Sequence, residues 1–259
     1  MSLFVCATPL GNLEDVSLRL LSTLREADLV VAEDTRHTQR LLARHEIRVP
    51  LASCHQHTPP ARIQSFADQL QEGKTLALVT DAGTPGISDP GPPLVREALR
   101  RGIAVLTIPG PCALVAALSV SGCDAQRFSF LGFLPRKPGR RRRALQETLA
   151  RRETLVIYES PYRALDTLRL IAEFVPHRHV VVCRELTKKF EETLRGPIQE
   201  VIATLSTRKE MRGEFVLVVD APQEDEAQDE NDGADKDEGP LDEGPLDDAQ
   251  PDGARRDDE

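Results

Sequence analysis

The chain has 259 residues, with 33 Lys and Arg against 42 Asp and Glu and a formal net charge of −9; that length holds two modest domains, each able to bury a core. From Ala221 onward there are 17 acidic and 3 basic residues, so the first 220 residues hold 30 basic and 25 acidic ones and carry a net charge of +5. A basic body behind an acidic appendage suits a polyanionic partner, while with no apolar run near the roughly 18 residues of a membrane span, and no basic leader, neither a span nor a signal peptide is expected.

Residues 3–7 form a short apolar strand that runs into Thr8-Pro9-Leu10-Gly11-Asn12. Asn12 is placed to cap a helix carrying Leu13, Val16, Leu20, Leu21 and Leu24 on one side. A second strand at 29–32 stops at Glu33-Asp34-Thr35-Arg36-His37, and Leu41 and Leu42 mark the next helix. Residues 51–53 are a weak third strand, followed by His55-Gln56-His57-Thr58 and a helix over 60–71. A buried strand at 75–79, a long loop and a helix over 92–101 closed by Gly102 come next. The strand at 105–108, the turn Pro109-Gly110-Pro111-Cys112 and an Ala- and Val-rich segment at 113–119 complete the first part. Strands alternating with helices over this length predict a parallel sheet with both faces covered.

Ser121-Gly122-Cys123-Asp124 reads as the junction. Beyond it, strands are expected at 127–131, 155–158, 180–183, 191–194 and 213–219, with a helix over 197–205 and some antiparallel pairing. The expected organisation is an α/β chain with an N-terminal domain over 1–120 and a C-terminal domain over 121–220. Residues 221–259, with few apolar side chains and the repeat Asp-Glu-Gly-Pro-Leu at 237–241 and 242–246, are expected to be a disordered acidic tail.

The loop from Val79 to Gly91 organises the rest. It packs three glycines and two prolines into thirteen residues, between a strand and a helix. That exceeds the roughly two to six residues usual for such a connection, and open α/β sheets bind ligands at such strand ends. Thr8-Pro9, Glu33-Asp34, Asp81, Pro109-Gly110-Pro111, Glu159 and Glu185 also stand just past strands, so one cleft is predicted to collect them. Carboxylates there suit a ribose, an amino group, a sulfonium or a general base, and spacing alone does not choose among them.

Other chemistries lack their signatures. No P-loop, dinucleotide fingerprint, hydrolase elbow or zinc-protease motif is present. The five cysteines are scattered without a C-x-x-C pair, which argues for free thiols in a reducing, cytoplasmic setting. His55 and His57 have no third ligand nearby, so no metal is expected. The run Arg136-Lys137-Pro138-Gly139-Arg140-Arg141-Arg142-Arg143 places six positive charges in eight residues beside Phe128, Phe130 and Phe133. It reads as a loop suited to a phosphate backbone.

Taken together, the blocks at 7–15, 32–36, 53–57, 80–91, 108–111, 130–135, 158–163, 184–188 and 213–215 resemble the ribosomal RNA small subunit methyltransferase I family, a branch of the tetrapyrrole methylase superfamily. The resemblance spans about residues 3 to 220. It implies two α/β/α domains with S-adenosylmethionine in the cleft between them, a homodimer, and methyl transfer to the ribose 2′-oxygen of a cytidine in small-subunit (16S) ribosomal RNA, free or in the assembled 30S subunit. By position it places Pro9, Leu10, Asp81, Ala82, Gly83, Ile87, Cys112 and Ala113 at the cofactor, with Leu131, Gly132, Tyr158, Leu186 and the candidate base Glu159 as the second wall. Asp34, Glu159 and Glu185 are the candidate bases; Arg36, Arg136, Lys137, Arg140, Arg141, Arg142, Arg143 and Lys188 are the candidate RNA contacts. Many members carry a basic helical extension after the last strand, where this chain is acidic. The arginine run is then expected to carry more of the RNA contact, or substrate recognition to be weaker or differently regulated, and the tail to compete with RNA. The rival readings are a tetrapyrrole methyltransferase and a non-catalytic RNA-binding module.

Overall fold

Short β-branched and aliphatic runs alternate with amphipathic helices through the first part of the chain. The computed structural model describes residues 1–222; the expected disordered tail, apart from its first two residues, lies outside them. The first part contains β1 (Ser2–Cys6), α1 (Leu18–Glu26), β2 (Leu29–Ala32), α2 (Thr35–Arg44), β3 (Leu51–Ser53), α3 (Pro60–Gln71), β4 (Thr75–Val79), α4 (Pro92–Arg100), β5 (Val105–Ile108) and α5 (Ala113–Ser121). The strands form one sheet in the order β3-β2-β4-β1-β5, parallel at every pairing as the alternation predicts. Period-two alternation divides its side chains. Leu76 and Leu78 pack with Phe66 of α3 and Leu94 of α4, while Ala77 and Val79 pack with Leu20 of α1 and Leu41 of α2. All four strand residues are essentially sealed from solvent. Because all strands point one way, the exits of β1, β2, β4 and β5 lie along one edge.

The second part contains β6 (Phe128–Phe133), α6 (Pro138–Leu149), β7 (Thr154–Glu159), α7 (Pro161–Phe174), β8 (His179–Arg184), β9 (Glu192–Pro197), α8 (Ile198–Ser206) and β10 (Phe215–Val219). Its sheet runs β6-β7-β10-β8-β9, with β6 and β7 parallel and the other neighbours antiparallel. Leu155, Ile157, Val180, Val182, Leu217 and Val219 face α6, α7 and α8. The opposite face, with Val156, Val181, Val216 and Val218, is covered by Ala117 and Leu118 of α5, together with Leu10 and Leu186. Helix α5 thus leaves the first sheet and packs on the second. The Leu114 amide donates to the Tyr158 hydroxyl at 2.8 Å, and Arg195 Nη2 donates to the Val120 carbonyl at 2.6 Å. The expected junction at 120/121 falls at the C-terminal end of this helix.

Three local expectations are corrected. Helix α1 begins at Leu18, because Ser17 Oγ accepts the Leu20 amide at 3.0 Å; Asn12 instead accepts the Glu14 amide in a turn of its own. The arginine run is a helix start, not a loop: Pro138 opens α6, and Leu145, Thr148 and Leu149 supply its buried side. Helix α7 follows Ser160-Pro161, where the sequence reading placed no helix; Ala164, Leu168 and Ile171 are its buried stripe. Among the described residues no helix is long and apolar enough to cross a membrane.

Candidate active site between the two sheets

The exits of the first sheet and the rim of the second enclose a cavity of about 390 Å³. From the first part come Leu10, Glu33, Cys112, Ala113 and most of the long loop, namely Asp81, Ala82, Gly83, Thr84, Ile87, Ser88 and Asp89. From the second come Phe133, Tyr158 to Pro161 and Gly213 to Val216. Thr8 Oγ1 donates to the Thr80 carbonyl at 3.1 Å and Thr84 Oγ1 to that of Pro111 at 3.0 Å, so hydroxyls tie the loop to its neighbouring strand exits. Volume and lining match a small-molecule site: aliphatic and aromatic walls with a few convergent polar groups.

Nine of the thirteen residues expected at the cofactor and its second wall line this cavity: Leu10, Asp81, Ala82, Gly83, Ile87, Cys112, Ala113, Tyr158 and Glu159. Pro9, Leu131, Gly132 and Leu186 are not among the residues that line it. Leu186 packs in the cluster under α5, and Gly132 lets Ser88 approach: a Cβ there would lie 2.6 Å from Ser88 Oγ. Glu33 lines the cavity, as its place just past β2 predicted, but the sequence gave no individual role to Thr84, Ser88, Asp89, Phe133, Ser160, Pro161 or Glu214. Asp89 and Ser88 lay inside the loop already singled out, and Glu33 stood beside the chosen Asp34. Their orientation is a tertiary matter.

The cavity is acidic. Half-burial raises the Glu33 carboxyl above its ordinary range; the Asp81 amide opposes this, while the charges of Asp81 and Asp34 add to it. Burial, reinforced by Glu33, Asp81 and Glu214, pushes Asp89 up to about 7. Burial likewise raises the Tyr158 phenol.

The three expected bases are occupied elsewhere. Asp34 caps α2 by accepting the Arg36 amide at 2.8 Å and the Arg36 guanidinium at 2.6 Å, and these bonds hold its carboxyl far below the usual range. Glu159 lies at the cavity edge with a fully buried side chain. Its carboxylate accepts from the Ser160 amide, Thr167 Oγ1 and Arg163 Nη2. Glu185 accepts Lys188 Nζ at 3.1 Å and the Glu214 amide at 2.9 Å; burial raises its pKa, but these two donors outweigh it and leave the carboxyl lowered.

These walls belong to a known architecture. The family of tetrapyrrole (corrin/porphyrin) methylases matches residues 2–202. The chain is similar to the ribosomal RNA small subunit methyltransferase I of Halalkalibacterium halodurans, 48% identical over 219 residues that cover 85% of this chain and 75% of that protein. The chain belongs to the ribosomal RNA small subunit methyltransferase I family. The family member of Thermotoga maritima is 45% identical over 218 residues, covering 84% of this chain and 97% of that one. Among solved structures the chain is similar in fold to the methyltransferase CobJ, with a TM-score of 0.64 at 18% identity over 85% of this chain and 94% of that one. It is also similar to uroporphyrin-III C-methyl transferase from Thermus thermophilus complexed with S-adenyl homocysteine, with a TM-score of 0.60 at 17% identity over 85% and 97% of the two chains.

In this member of the methyltransferase I family the candidate RNA contacts divide into two groups. Arg136, Lys137, Arg140 and Arg143 are exposed, and their side chains make no hydrogen bond or ion pair among the described residues. Arg142 is engaged by Glu173 and lies over the Phe174 ring at 4.8 Å, and Arg141 is half-buried. Arg36 is spent on Asp34, and Lys188 on Glu185 and Glu214. Four arginines in the opening turns of α6, with no acidic residue in its first turn, oppose the helix dipole. An anion docked there would offset that cost. Phe133, 58% exposed, precedes this run by three residues.

Proposed function

We propose that the chain is an S-adenosylmethionine-dependent methyltransferase acting on the ribose 2′-oxygen of a cytidine in 16S ribosomal RNA. One observation carries the reading: the cavity wall runs directly into the unpaired arginines, since Phe133 lines the cavity and Arg136 follows three residues later. A phosphate backbone held by Arg136, Lys137, Arg140 and Arg143 would bring a ribose to the cavity mouth.

The residues present fit the cofactor. Leu10, Ile87, Cys112 and Ala113 offer apolar surface for an adenosyl group, and Asp81 and Glu33 offer carboxylates for hydroxyls or a cationic amino group. Bound there, S-adenosylmethionine supplies an activated methyl group on a sulfonium. The chain's own part is to align the nucleophile, exclude water and accept a proton. Apolar walls from Ile87, Phe133 and Val216 exclude water, and the loop, tied at Thr80 and Pro111, fixes the floor.

A homodimer fits the same reading. Leu106 on the edge strand β5 and Val115 and Val120 on α5 are exposed apolar side chains, suited to a second copy. A ribosomal substrate fits a cytoplasmic protein.

The test is methyl transfer from radiolabelled S-adenosylmethionine to 30S subunits and to uroporphyrinogen. Label resistant to alkaline cleavage at one cytidine of 16S RNA is the expected result. Transfer to uroporphyrinogen alone would favour the tetrapyrrole reading, and cofactor-independent RNA binding without transfer the non-catalytic one.

A further inference from the structure

The occupied state of the three expected bases leaves the proton unassigned, and the cavity holds a better candidate. Five carboxylates line it: Glu33, Asp81, Asp89, Glu159 and Glu214. Four are engaged. Glu33 accepts the Asp81 amide at 3.4 Å, Asp81 accepts the Asp34 amide at 3.0 Å, Glu159 is sealed against Arg163, and Glu214 accepts Lys188 Nζ at 2.9 Å. Asp89 makes no hydrogen bond or ion pair among the described residues, and it is only partly exposed.

Its backbone is held in place at a cost. Ser88, immediately before it, has φ 65, a left-handed conformation that strains any residue other than glycine. The Ser88 side chain meets Gly132 of the second part, where no Cβ intervenes. Pro90 and the start of α4 fix the other side. A strained, two-sided clamp around one unpartnered carboxylate in a ligand cavity is the arrangement of a positioned reactive group.

The geometry points to Asp89 as the general base that takes the proton from the attacking ribose 2′-hydroxyl, an assignment that rests on the function proposed above. As the bond from O2′ to the methyl carbon forms, the methyl–sulfur bond breaks and its electron pair stays on sulfur. The O2′ proton passes to an Oδ of Asp89, and solvent later removes it. The surroundings suit that task. Half-burial together with Glu33, Asp81 and Glu214 pushes the Asp89 carboxyl up to about 7, close to the optimum for a base at neutral pH. The other titratable groups nearby face those carboxylates: His37 stands 3.9 Å from Asp81, His55 faces Glu33, and Lys188 holds Glu214. The Tyr158 phenol, also in the cavity, is protonated at neutral pH in any case, and burial raises its pKa further.

The experiment compares the full-length wild-type chain with Asp89→Asn and Asp89→Glu. Cofactor affinity is read by calorimetry, and kcat/KM for methyl transfer to 30S subunits is followed from about pH 5 to about pH 9. The wild type is expected to show an acid limb with its midpoint near 7. Asp89→Asn should bind S-adenosylmethionine within about threefold of wild type, lose about 10²- to 10⁴-fold in kcat and lose the acid limb; Asp89→Glu should recover part of the rate with a displaced limb. An Asn variant that keeps the limb, or whose defect lies wholly in cofactor affinity, overturns the assignment. A wild type that binds cofactor but leaves the 2′-oxygens of 16S RNA unmethylated overturns the functional reading, and the assignment with it.

Discussion

Thr8 and Gly83 exchange backbone hydrogen bonds: the Thr8 amide donates to the Gly83 carbonyl at 2.8 Å, and the Gly83 amide to that of Thr8 at 3.0 Å. This isolated antiparallel bridge joins the exit of β1 to the long loop after β4. It converts a glycine- and proline-rich connection into a fixed floor for the cavity. Gly83 has φ +81, and a Cβ there would approach Leu10 Cδ2 to 3.3 Å. Gly83→Ala should therefore cost about 1–3 kcal/mol of folding stability and weaken cofactor binding in parallel. Thermal denaturation and calorimetry on the same variant check both; an alanine variant as stable as wild type would show that the bridge tolerates another backbone conformation.

Asp81 both lines the cavity and accepts the Asp34 amide at 3.0 Å, just before α2. Asp81→Ala is expected to weaken S-adenosylmethionine binding by about tenfold or more, the usual size of a lost hydrogen bond to a charged group. Calorimetry giving wild-type affinity would count against placing the cofactor on this loop.

The arginines of α6 should not contribute equally. Arg140→Ala and Arg143→Ala are each expected to reduce the slope of log affinity against log salt for RNA by about one. Arg142, occupied by Glu173 and Phe174, should contribute less, and cofactor affinity should be untouched in all three. Filter binding over a salt series separates these outcomes.

Glu159 is predicted to act in folding. Its fully buried carboxylate receives Arg163 Nη2 at 2.6 Å, so Glu159→Ala leaves that guanidinium with only the Leu134 carbonyl and no counter-charge. A loss of about 3 kcal/mol in urea denaturation is expected. Lost methyl transfer with unchanged stability would return Glu159 to consideration as a base.

Asp89 should destabilise the fold as pH rises. Its folded pKa of about 7 lies above the unfolded value of 3.8, so between the two the folded chain holds more protons than the unfolded one. Stability from this group is full below the lower value and is lost as pH rises toward 7. Asp89→Asn should therefore melt higher than wild type at pH 8 and lose that advantage near pH 4, which thermal scans at the two values would show.

Much of this was already legible in the residues. Residues 29–32 and 75–79 of the first sheet are short, almost wholly apolar runs of the kind a strand covered on both faces requires, and the helices between them made the sheet parallel. The length and glycine–proline content of the loop at 79–91 marked the ligand site for a local reason: such a backbone is shaped before anything binds. The arginine run was visible as charge, but its helical state was not. Pro138-Gly139 reads as a breaker until Leu145 and Leu149 find a sheet to cover.

Tertiary structure alone decided which carboxylates are available. Asp34, Glu159, Glu185 and Asp89 are alike as letters just past or near strand ends. Three of them meet a donor brought by the fold: Arg36 turned back by a helix start, Arg163 one helical turn on, and Lys188 with the Glu214 amide from a distant strand entry. Among the described residues Asp89 faces the carboxylates of Glu33, Asp81 and Glu214, with no donor bonded to it. Sequence sets each group's intrinsic chemistry, but the cost of keeping its charge depends on what the fold places within a few ångströms. That is why the sequence alone determined the family, the two sheets and the loop, and the packed chain decided the roles within the cavity.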